Sequence, residues 1–182
     1  MPRFSRRPIY HDRPPKVGPV LLWATSRFLY ARGSYRLAKV LKGVSFLVFR
    51  AILPPEAVFG RNLRLDHYAL GVVIHPNTVI GDDCRIYHGV TIGSSASIGS
   101  SDKIIIGSGV LIGAHAVVLN RIGRTLHIGD GARIGANALV VEDVPPGATV
   151  LAPPGRMVDA QSEADATGAR SRSGQGPDQG GH

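Results

Sequence analysis

Between Ile74 and Val144 a branched apolar residue returns every six residues, with two slips in register. A glycine often follows the branched residue directly. A period of six fits neither the roughly 3.6 residues of a helical turn nor the roughly two of an ordinary strand. It is typical of a coil with three flat sides, each side a short strand. The branched residues, predicted to point into the coil, are Ile74, Ile80, Ile86, Ile92, Ile98, Ile106, Ile112, Val118, Ile128, Ile134 and Val140.

A second set of positions supports the same reading. Four places after the branched residue stands a small or slim one, which would fill the tight space beside it, and the intervening glycine relaxes the corner. The sequence therefore predicts a mainly β fold, a parallel β-helix of hexapeptide repeats. The small positions are Thr78, Cys84, Val90, Val110, Ala116, Ala132, Ala138 and Val144.

The rest of the chain divides by composition. Residues 1–18 are basic and rich in proline, and residues 159–182 are polar without periodicity, so both are predicted to be disordered. Residues 19–53 form a predicted helical segment, and residues 54–158 form the predicted β-helix domain.

The helical segment should contain two helices. The first is predicted over Leu21–Tyr30, and Ser34 is placed to cap a second over about Tyr35–Arg50. An apolar stripe runs along the second helix, and we favour packing on the body or on a neighbouring subunit over contact with an anionic membrane. The stripe consists of Leu37, Val40, Leu41, Val44, Leu47 and Val48.

Charge is unevenly distributed. Residues 1–64 hold thirteen Lys and Arg against Asp12 and Glu56, whereas residues 65–182 hold eight against eleven acidic residues. A basic front favours an anionic partner, although the same charges also serve as a solvated face. The partner hypothesis that we retain is peripheral contact of residues 1–50 with an anionic membrane, and we expect no nucleic acid.

The single cysteine limits the redox chemistry. With only Cys84, at a small inward position, no disulfide framework is available, and a packing role is expected rather than a nucleophilic one. Residues 1–19 have no apolar core of a signal peptide, and the chain has no apolar run of about 18 residues. We therefore expect a cytoplasmic protein, with membrane association through the basic segment as the alternative.

The repeat is interrupted in three places, and interruptions in a regular scaffold are where functional residues concentrate. The first is Asp66–Gly71, the second is the serine-rich stretch between Gly93 and Ile106, and the third is Asn120–His127, about four residues too long for one side.

Four motifs around these interruptions resemble the serine acetyltransferase-like family of hexapeptide-repeat O-acetyltransferases, over about residues 50–158. The resemblance implies a left-handed coil of about five turns, each of about 18 residues, assembled as a homotrimer. It also implies acetyl transfer from acetyl-CoA to an acceptor hydroxyl, without a metal. The motifs are Leu65-Asp66-His67 with Gly71-Val72-Val73-Ile74, the run Ile80–Gly93 ending in His88-Gly89-Val90-Thr91-Ile92-Gly93, Gly131–Ala136, and Asp143–Pro146.

The resemblance assigns catalytic roles. His67 matches the family's general base, because a neutral imidazole can take the proton of a hydroxyl as it attacks a thioester. Asp66 would contact the acceptor or orient the turn. Backbone N–H groups near Gly93 and Ser94 match the position that holds the thioester oxygen.

The resemblance also assigns binding roles. Ala114 and Ala136 would line a pantetheine groove between subunits, and Arg133 and Arg156 would approach the nucleotide phosphates of coenzyme A. The acceptor would meet Asp102 and Lys103, with His88 lining the groove.

Two departures bear on the acceptor. The carboxylate that orients the base in the family is replaced by Ile52, and the family's Arg-His clamp for the serine carboxylate reads Asp102-Lys103. The sequence therefore predicts a sugar hydroxyl on a glycan intermediate as acceptor, with plain serine O-acetylation as the alternative.

The histidine spacing and the missing carboxylate also bear on two other classes of protein. A zinc hydratase of the γ-carbonic anhydrase type needs histidine spacings that the chain does not offer. A non-catalytic scaffold at a membrane surface fits the missing carboxylate but not the retained Asp66-His67 pair.

Overall fold

The computed structural model describes residues 18–156 of the 182-residue chain, so most of the predicted arm and all of the predicted tail lie outside the described residues. Helices α1 (Pro19–Ala31) and α2 (Tyr35–Phe49) come first, and a short 3₁₀ helix (Asp66–Ala69) follows the second strand. The strands are β1 (Val58–Phe59), β2 (Arg64–Leu65), β3 (Val73–Ile74), β4 (Thr78–Ile80), β5 (Arg85–Ile86), β6 (Thr91–Ser94), β7 (Ile104–Ile106), β8 (Leu111–Ile112), β9 (Val117–Asn120), β10 (Leu126–Ile128), β11 (Arg133–Ile134), β12 (Leu139–Val140) and β13 (Thr149–Val150).

The strands form three parallel sheets, which are the three faces of a left-handed β-helix. The first face has the order β1-β4-β7-β10, the second β13-β11-β8-β5-β2 and the third β12-β9-β6-β3. The chain passes from the first face to the second, then to the third and back to the first. The predicted fold class is confirmed, but the thirteen described strands make just over four turns rather than about five.

The coil is lengthened by insertions at its edges, which explains the smaller number of turns. From Val73 to its partner Thr91 one turn takes 18 residues, the regular length. The turn from Arg64 to Arg85 takes 21 residues, the turn from Thr91 to Val117 takes 26, and the turn from Val117 to Leu139 takes 22. The three longer turns contain the three predicted interruptions.

The core consists of the recurring apolar residues and their small neighbours. All eight small positions are buried, and ten of the eleven branched residues are buried as predicted. Ile98 is the exception: it is 69% exposed, because it lies in the second interruption rather than on a face. Cys84 is 1% exposed, and its Sγ approaches the Gly107 carbonyl at 3.0 Å, which confirms the packing role.

The two helices form a hairpin attached to the start of the coil. The buried Trp23 donates a hydrogen bond from Nε1 to the Pro54 carbonyl at 2.7 Å, and its ring packs on Phe59 with centroids 4.4 Å apart. Ser26 donates to the Ala38 carbonyl at 2.9 Å, which joins α1 to α2. Helix α1 therefore carries the hairpin's attachment to the coil.

The expected packing of the α2 stripe on the body is wrong. Ala38 and Ser45 are the fully buried residues of α2, whereas five of the six stripe residues are exposed. The predicted stripe is therefore the outer face of the hairpin, and only Leu41 is half-buried. Ser34 does occupy the N-cap position, but its side chain makes no capping hydrogen bond.

The described residues fall into two compact units. One ends at Ala152, and Pro153–Arg156 belong to the other. Within residues 18–156, neither helix has the length and apolar character needed to cross a membrane.

Candidate functional site

The first interruption is a strained left-handed turn on the edge between the second and third faces. His67, Tyr68 and Ala69 all have positive φ, at 52°, 56° and 60°. A non-glycine residue in this region costs about 1–2 kcal/mol, so three in succession persist only where the surroundings impose them. The turn leaves the His67 side chain exposed at the edge, while Ala69 is fully buried beneath it.

Asp66 fixes the start of this turn. Its carboxylate pairs with the Arg85 guanidinium, and Arg64 approaches it at 3.9 Å. The Asp66 side chain is only 12% exposed. The Asp66 carboxylate thus contacts arginines of two successive coils at the start of the turn.

His67 is oriented by a second histidine from the next coil. Nδ1 of His67 lies 2.7 Å from Nδ1 of His88, and the two rings are 4.7 Å apart. His88 in turn packs edge-on against His115, with ring centroids 5.0 Å apart. Three histidines from successive coils therefore follow the same edge.

The contact between His67 and His88 restricts their tautomers. One of the two Nδ1 atoms must carry the shared hydrogen, because two lone pairs at 2.7 Å would repel. If His67 donates, its Nε2 is unprotonated and can accept a proton from a substrate hydroxyl. In that tautomer His88 accepts a hydrogen bond from His67 Nδ1–H, which is the role that an orienting carboxylate has beside other histidine bases.

Ile52 takes the position that the resemblance gives to an orienting carboxylate. It forms a parallel bridge with Val73 on the third face: its N–H donates to the Val72 carbonyl at 2.8 Å, and its carbonyl accepts from the Ile74 N–H at 3.0 Å. Its apolar side chain cannot accept a hydrogen bond from an imidazole. His88, expected only to line the groove, contacts His67 through Nδ1.

Two of the residues predicted to bind coenzyme A continue the same edge. Ala114 is half-buried and Ala136 is exposed, and the Ala114 carbonyl accepts a hydrogen bond from the Asn137 N–H at 2.9 Å. A Cβ on the buried Gly113 would come within 2.5 Å of the Ala136 nitrogen. The coils are closely stacked here and present small side chains, which suits a slender ligand.

The two predicted phosphate-binding arginines occupy different places. Arg133 begins β11 on the second face, one strand before this edge, and its side chain is exposed. Arg156 is also exposed, but it belongs to the unit that begins at Pro153. The structure brings Arg133 to the neighbourhood of the histidine edge and leaves Arg156 unassigned.

The predicted oxyanion and acceptor residues lie on a different edge, between the third and first faces. Gly93 and Ser94 end β6, where Ser94 pairs in register with Asn120 of β9. Asp102 and Lys103 close the loop that follows. One chain therefore does not bring these residues to His67, since the third face separates the two edges.

The second interruption, between Gly93 and Ile106, is held by the buried side-chain amide of Asn77. Asn77 donates to the Ser97 carbonyl at 2.9 Å and to Ser100 Oγ at 3.1 Å, and its Oδ1 accepts from the Gly99 N–H at 2.8 Å. The Asp102 carboxylate accepts from the Gly123 N–H of the third interruption at 2.7 Å. The second and third interruptions thus support each other, and Asp102 already has a structural partner.

The remaining candidates are weaker. Burial lowers the pKa of His75, whose Nδ1 accepts the Asn77 N–H at 3.1 Å, so this ring is a structural acceptor. Burial raises the pKa of the Cys84 thiol. Among residues 18–156, no group of three or more His, Cys, Asp or Glu side chains has a geometry that would hold a metal ion.

Sequence reasoning missed Asn77 and underrated His88. A signal for His88 was available: it stands two residues after an inward residue, Ile86, as His67 does after Leu65. Leu65 and Ile86 are partners in adjacent strands, so the two histidines meet. Asn77 gave no comparable signal, because its partners are mainly backbone groups of a loop.

Comparison with known proteins identifies relatives of this architecture. No family model matched the chain. It is 41% identical over 137 residues to the serine acetyltransferase of Mycobacterium tuberculosis, a match that covers 75% of this chain and 55% of that protein. It is 35% identical over 137 residues to the serine acetyltransferase of Helicobacter pylori, covering 75% of this chain and 77% of that protein.

Solved structures give the same picture. The serine acetyltransferase of Neisseria gonorrhoeae in complex with serine superposes with a TM-score of 0.66 at 37% identity, over 76% of this chain and 55% of that one. The enzyme of Brucella abortus in complex with coenzyme A superposes with a TM-score of 0.67 at 31% identity, over 76% and 54%. The chain thus spans about half the length of most of these relatives.

Proposed function

Because the chain belongs to the serine acetyltransferase family, we propose that it transfers an acetyl group from acetyl-CoA to the hydroxyl of a small acceptor, with serine as the first acceptor to test. The observation that carries this proposal is the His67 base on its strained turn, held at Nδ1 by His88. The relatives named for serine and the relative solved with coenzyme A support both substrates.

The chemistry follows from the exposed Nε2 of His67. It takes the hydroxyl proton while the acceptor oxygen bonds to the acetyl carbonyl carbon. Backbone N–H groups at Gly93 and Ser94 would stabilise the oxyanion that forms there. When the carbon–sulfur bond breaks, His67 returns the proton to the departing sulfur, so that charge and protons balance over one turnover.

His88 supports the charged intermediate state of the base. While His67 carries both ring protons, its Nδ1–H keeps donating to Nδ1 of His88 and the ring stays in place. A neutral imidazole stabilises this cation less than a carboxylate would, so His88 mainly contributes orientation. Asp66 acts through the turn, by way of its pairing with Arg85.

A homotrimer would complete this site. The base lies on the edge between the second and third faces, whereas Ser94 and Lys103 lie on the next edge around the coil. Three-fold association of parallel coils sets one edge of each subunit beside the next edge of its neighbour. The pantetheine arm would then lie along Ala114 and Ala136 between two subunits.

The coenzyme A phosphates would meet a basic side chain beside that groove. Arg133 is exposed on the second face, and its guanidinium is proposed as the partner of a phosphate placed beyond Ala136. Arg156 belongs to the unit that begins at Pro153, and its role toward phosphate stays a prediction from the sequence.

The acceptor is the least constrained part of the proposal. The relatives favour serine over the sugar hydroxyl predicted from the departures at Ile52, Asp102 and Lys103. One observation keeps a sugar as a second candidate: Asp102 is itself an anion that accepts a hydrogen bond from Gly123 N–H, so of this pair only Lys103 could hold a carboxylate. Exposed hydroxyls of the serine-rich loop would suit a polyol.

Measurement of coenzyme A release decides among these readings. Full-length protein is incubated with acetyl-CoA and either L-serine or a panel of sugars, and the free thiol is measured against a His67→Ala control. Saturable O-acetylserine formation would establish the serine reading, and turnover only with a sugar would establish the second. No release with any acceptor above the control would favour the non-catalytic scaffold.

A further inference from the structure

The outer surface of the helical hairpin is apolar and exposed to solvent. Within the described chain, α1 and α2 are the two α-helices, and each has an apolar side that nothing covers. Leu47 is 71% exposed, Val48 64% and Val40 60%. Exposed apolar surface concentrated in one place marks an interaction site. We define the hairpin face by seven of the nine exposed large apolar residues of α1 and α2, namely Leu21, Phe28, Leu37, Val40, Val44, Leu47 and Val48.

The two helices contribute to one continuous surface. A shallow cavity of about 340 Å³ lies between them, lined by Leu21, Leu22 and Thr25 of α1 and by Val44, Val48 and Phe49 of α2. Apolar side chains of both helices border it. Three residues of the hairpin face, Leu21, Val44 and Val48, therefore line one groove that both helices form.

The charge beside this face has one sign. The helices and their connection carry Arg27, Arg32, Arg36, Lys39, Lys42 and Arg50, and residues 18–55 contain no Asp or Glu. Arg36, Lys39 and Arg50 are exposed next to the apolar residues of α2. Arg32 lies over the ring of Phe28 at 4.2 Å, which brings a cation directly onto the apolar surface.

This distribution selects the kind of partner. A second hairpin packed face to face would bring cations against cations with no carboxylate to pair them. A basic amphipathic helix suits an anionic lipid surface instead, where apolar residues enter the acyl boundary and Lys and Arg meet phosphate groups. Helices of 13 and 15 residues lie along such a surface rather than cross it.

We propose that the hairpin face docks on the surface of an anionic lipid bilayer and holds the coil beside it. Basic residues before α1 in the sequence, among them Arg13 and Lys16, would add to the attraction. Two weak signals, apolar insertion and charge, together give stable anchoring where one does not. The proposal does not depend on the acetyl-transfer chemistry.

Vesicle flotation of the full-length protein tests it. Vesicles of phosphatidylcholine alone are compared with vesicles of equal parts phosphatidylcholine and phosphatidylglycerol, at low and high salt. We expect binding to the anionic vesicles only, weakened by salt. Neutralising Arg36 and Lys39 together (Arg36→Gln, Lys39→Gln) should weaken it by about fivefold for each charge removed.

The apolar contribution is tested by a double variant of the face. Leu47→Ser with Val48→Ser should weaken binding by tenfold or more, since each side chain loses its burial in the lipid boundary. The matched control is Ile122→Ser, which removes an equally exposed residue, 78% exposed, from a coil loop and should leave binding unchanged. The double glutamine variant, the double serine variant and Ile122→Ser are each compared with the wild type by circular dichroism for folding and by light scattering for oligomeric state.

Three results would overturn the proposal. The first is no binding to anionic vesicles, and the second is binding that the double serine variant leaves intact, which would assign it to charge alone. The third is a smaller oligomer for the double serine variant in solution, which would show that a second copy covers the hairpin face. Coenzyme A release measured without vesicles is expected to be the same for all variants.

Discussion

Replacing His88 tests whether a histidine has taken over the orientation of the base. In His88→Ala the Nδ1–H of His67 loses its partner at 2.7 Å, while the turn that carries His67 keeps its own contacts. His88→Asn is the conservative variant, because an amide oxygen can accept a hydrogen bond near the position of Nδ1. His115→Ala is the matched control, since His115 contacts the His88 ring but not His67.

The size of the effect follows from the exposure of His67. An intramolecular hydrogen bond contributes about 0.5–1.5 kcal/mol net, and water replaces the lost partner at an exposed ring. That free energy corresponds to a loss of about 2- to 13-fold in rate. The loss should fall on kcat, with KM for the acceptor unchanged, because the orientation of the base matters when the proton moves.

Initial rates of thiol release at saturating acetyl-CoA and acceptor measure the loss, and thermal melting checks the fold. His88→Asn should recover most of the wild-type kcat, and His115→Ala should lose less than about twofold. A His88→Ala variant with undiminished kcat would refute the argument. Equal losses in His88→Ala and His88→Asn would show that His88 acts through packing rather than through its hydrogen bond.

Three further outcomes are expected. His67→Ala should lower kcat by about 10²–10⁴ in the coenzyme A release assay without shifting the melting temperature, since the base is exposed. Gly43→Ala, where an added Cβ meets nothing within 4 Å, should raise the free energy of unfolding by about 0.5–1 kcal/mol, whereas Gly113→Ala, with a Cβ 2.5 Å from a backbone nitrogen, should lower it by about 1–3 kcal/mol in urea titrations. Burial lowers the pKa of His75, so its contribution to stability is complete above the unfolded value near 6.5 and is lost as pH falls through the folded value; His75→Gln should flatten the decline of melting temperature in that range.

The fold was predictable because branched apolar residues recur every six residues, a pattern that is visible over short stretches of the chain. Each face requires an inward branched residue, and a one-residue slip within a face would expose it, so the period of six resumes after every insertion. Ile98 shows the limit of this reasoning. It keeps the period by coincidence within a loop whose conformation depends on the amide of Asn77, a contact over more than twenty residues.

The orientation of α2 was not predictable from its pattern. The stripe is the most apolar face of the helix, and burial of the most apolar face is the usual expectation. The hairpin instead packs through Ala38 and Ser45, because small residues allow α1 and α2 to approach closely and Ser26 bonds to the Ala38 carbonyl. The helices thus pack through their small residues, and the larger apolar residues of the α2 stripe stay exposed.

One part of the candidate site is local in sequence and the other depends on a contact between distant residues. The left-handed turn at His67 lies within one interruption, so a local motif was enough to find it. The contact with His88 joins residues 21 positions apart, and the insertion before β3 changes that spacing from the regular 18. A search at the regular spacing would therefore miss the pair, whereas the common position of both histidines two residues after an inward residue would find it.

The insertions place the proposed base and the proposed acceptor residues on different edges of one chain. The first leaves the coil between the second and third faces and carries the base, whereas the second and third leave between the third and first faces and bind each other through Asp102 and Gly123. A rigid coil cannot bring two of its edges together, because its core of close-packed branched residues keeps the faces apart. Loops evolved on separate edges can act on one substrate only when a neighbouring coil supplies the other edge. If both edges act on one substrate, as the resemblance implies, the geometry of the insertions requires a second copy of the chain beside the first.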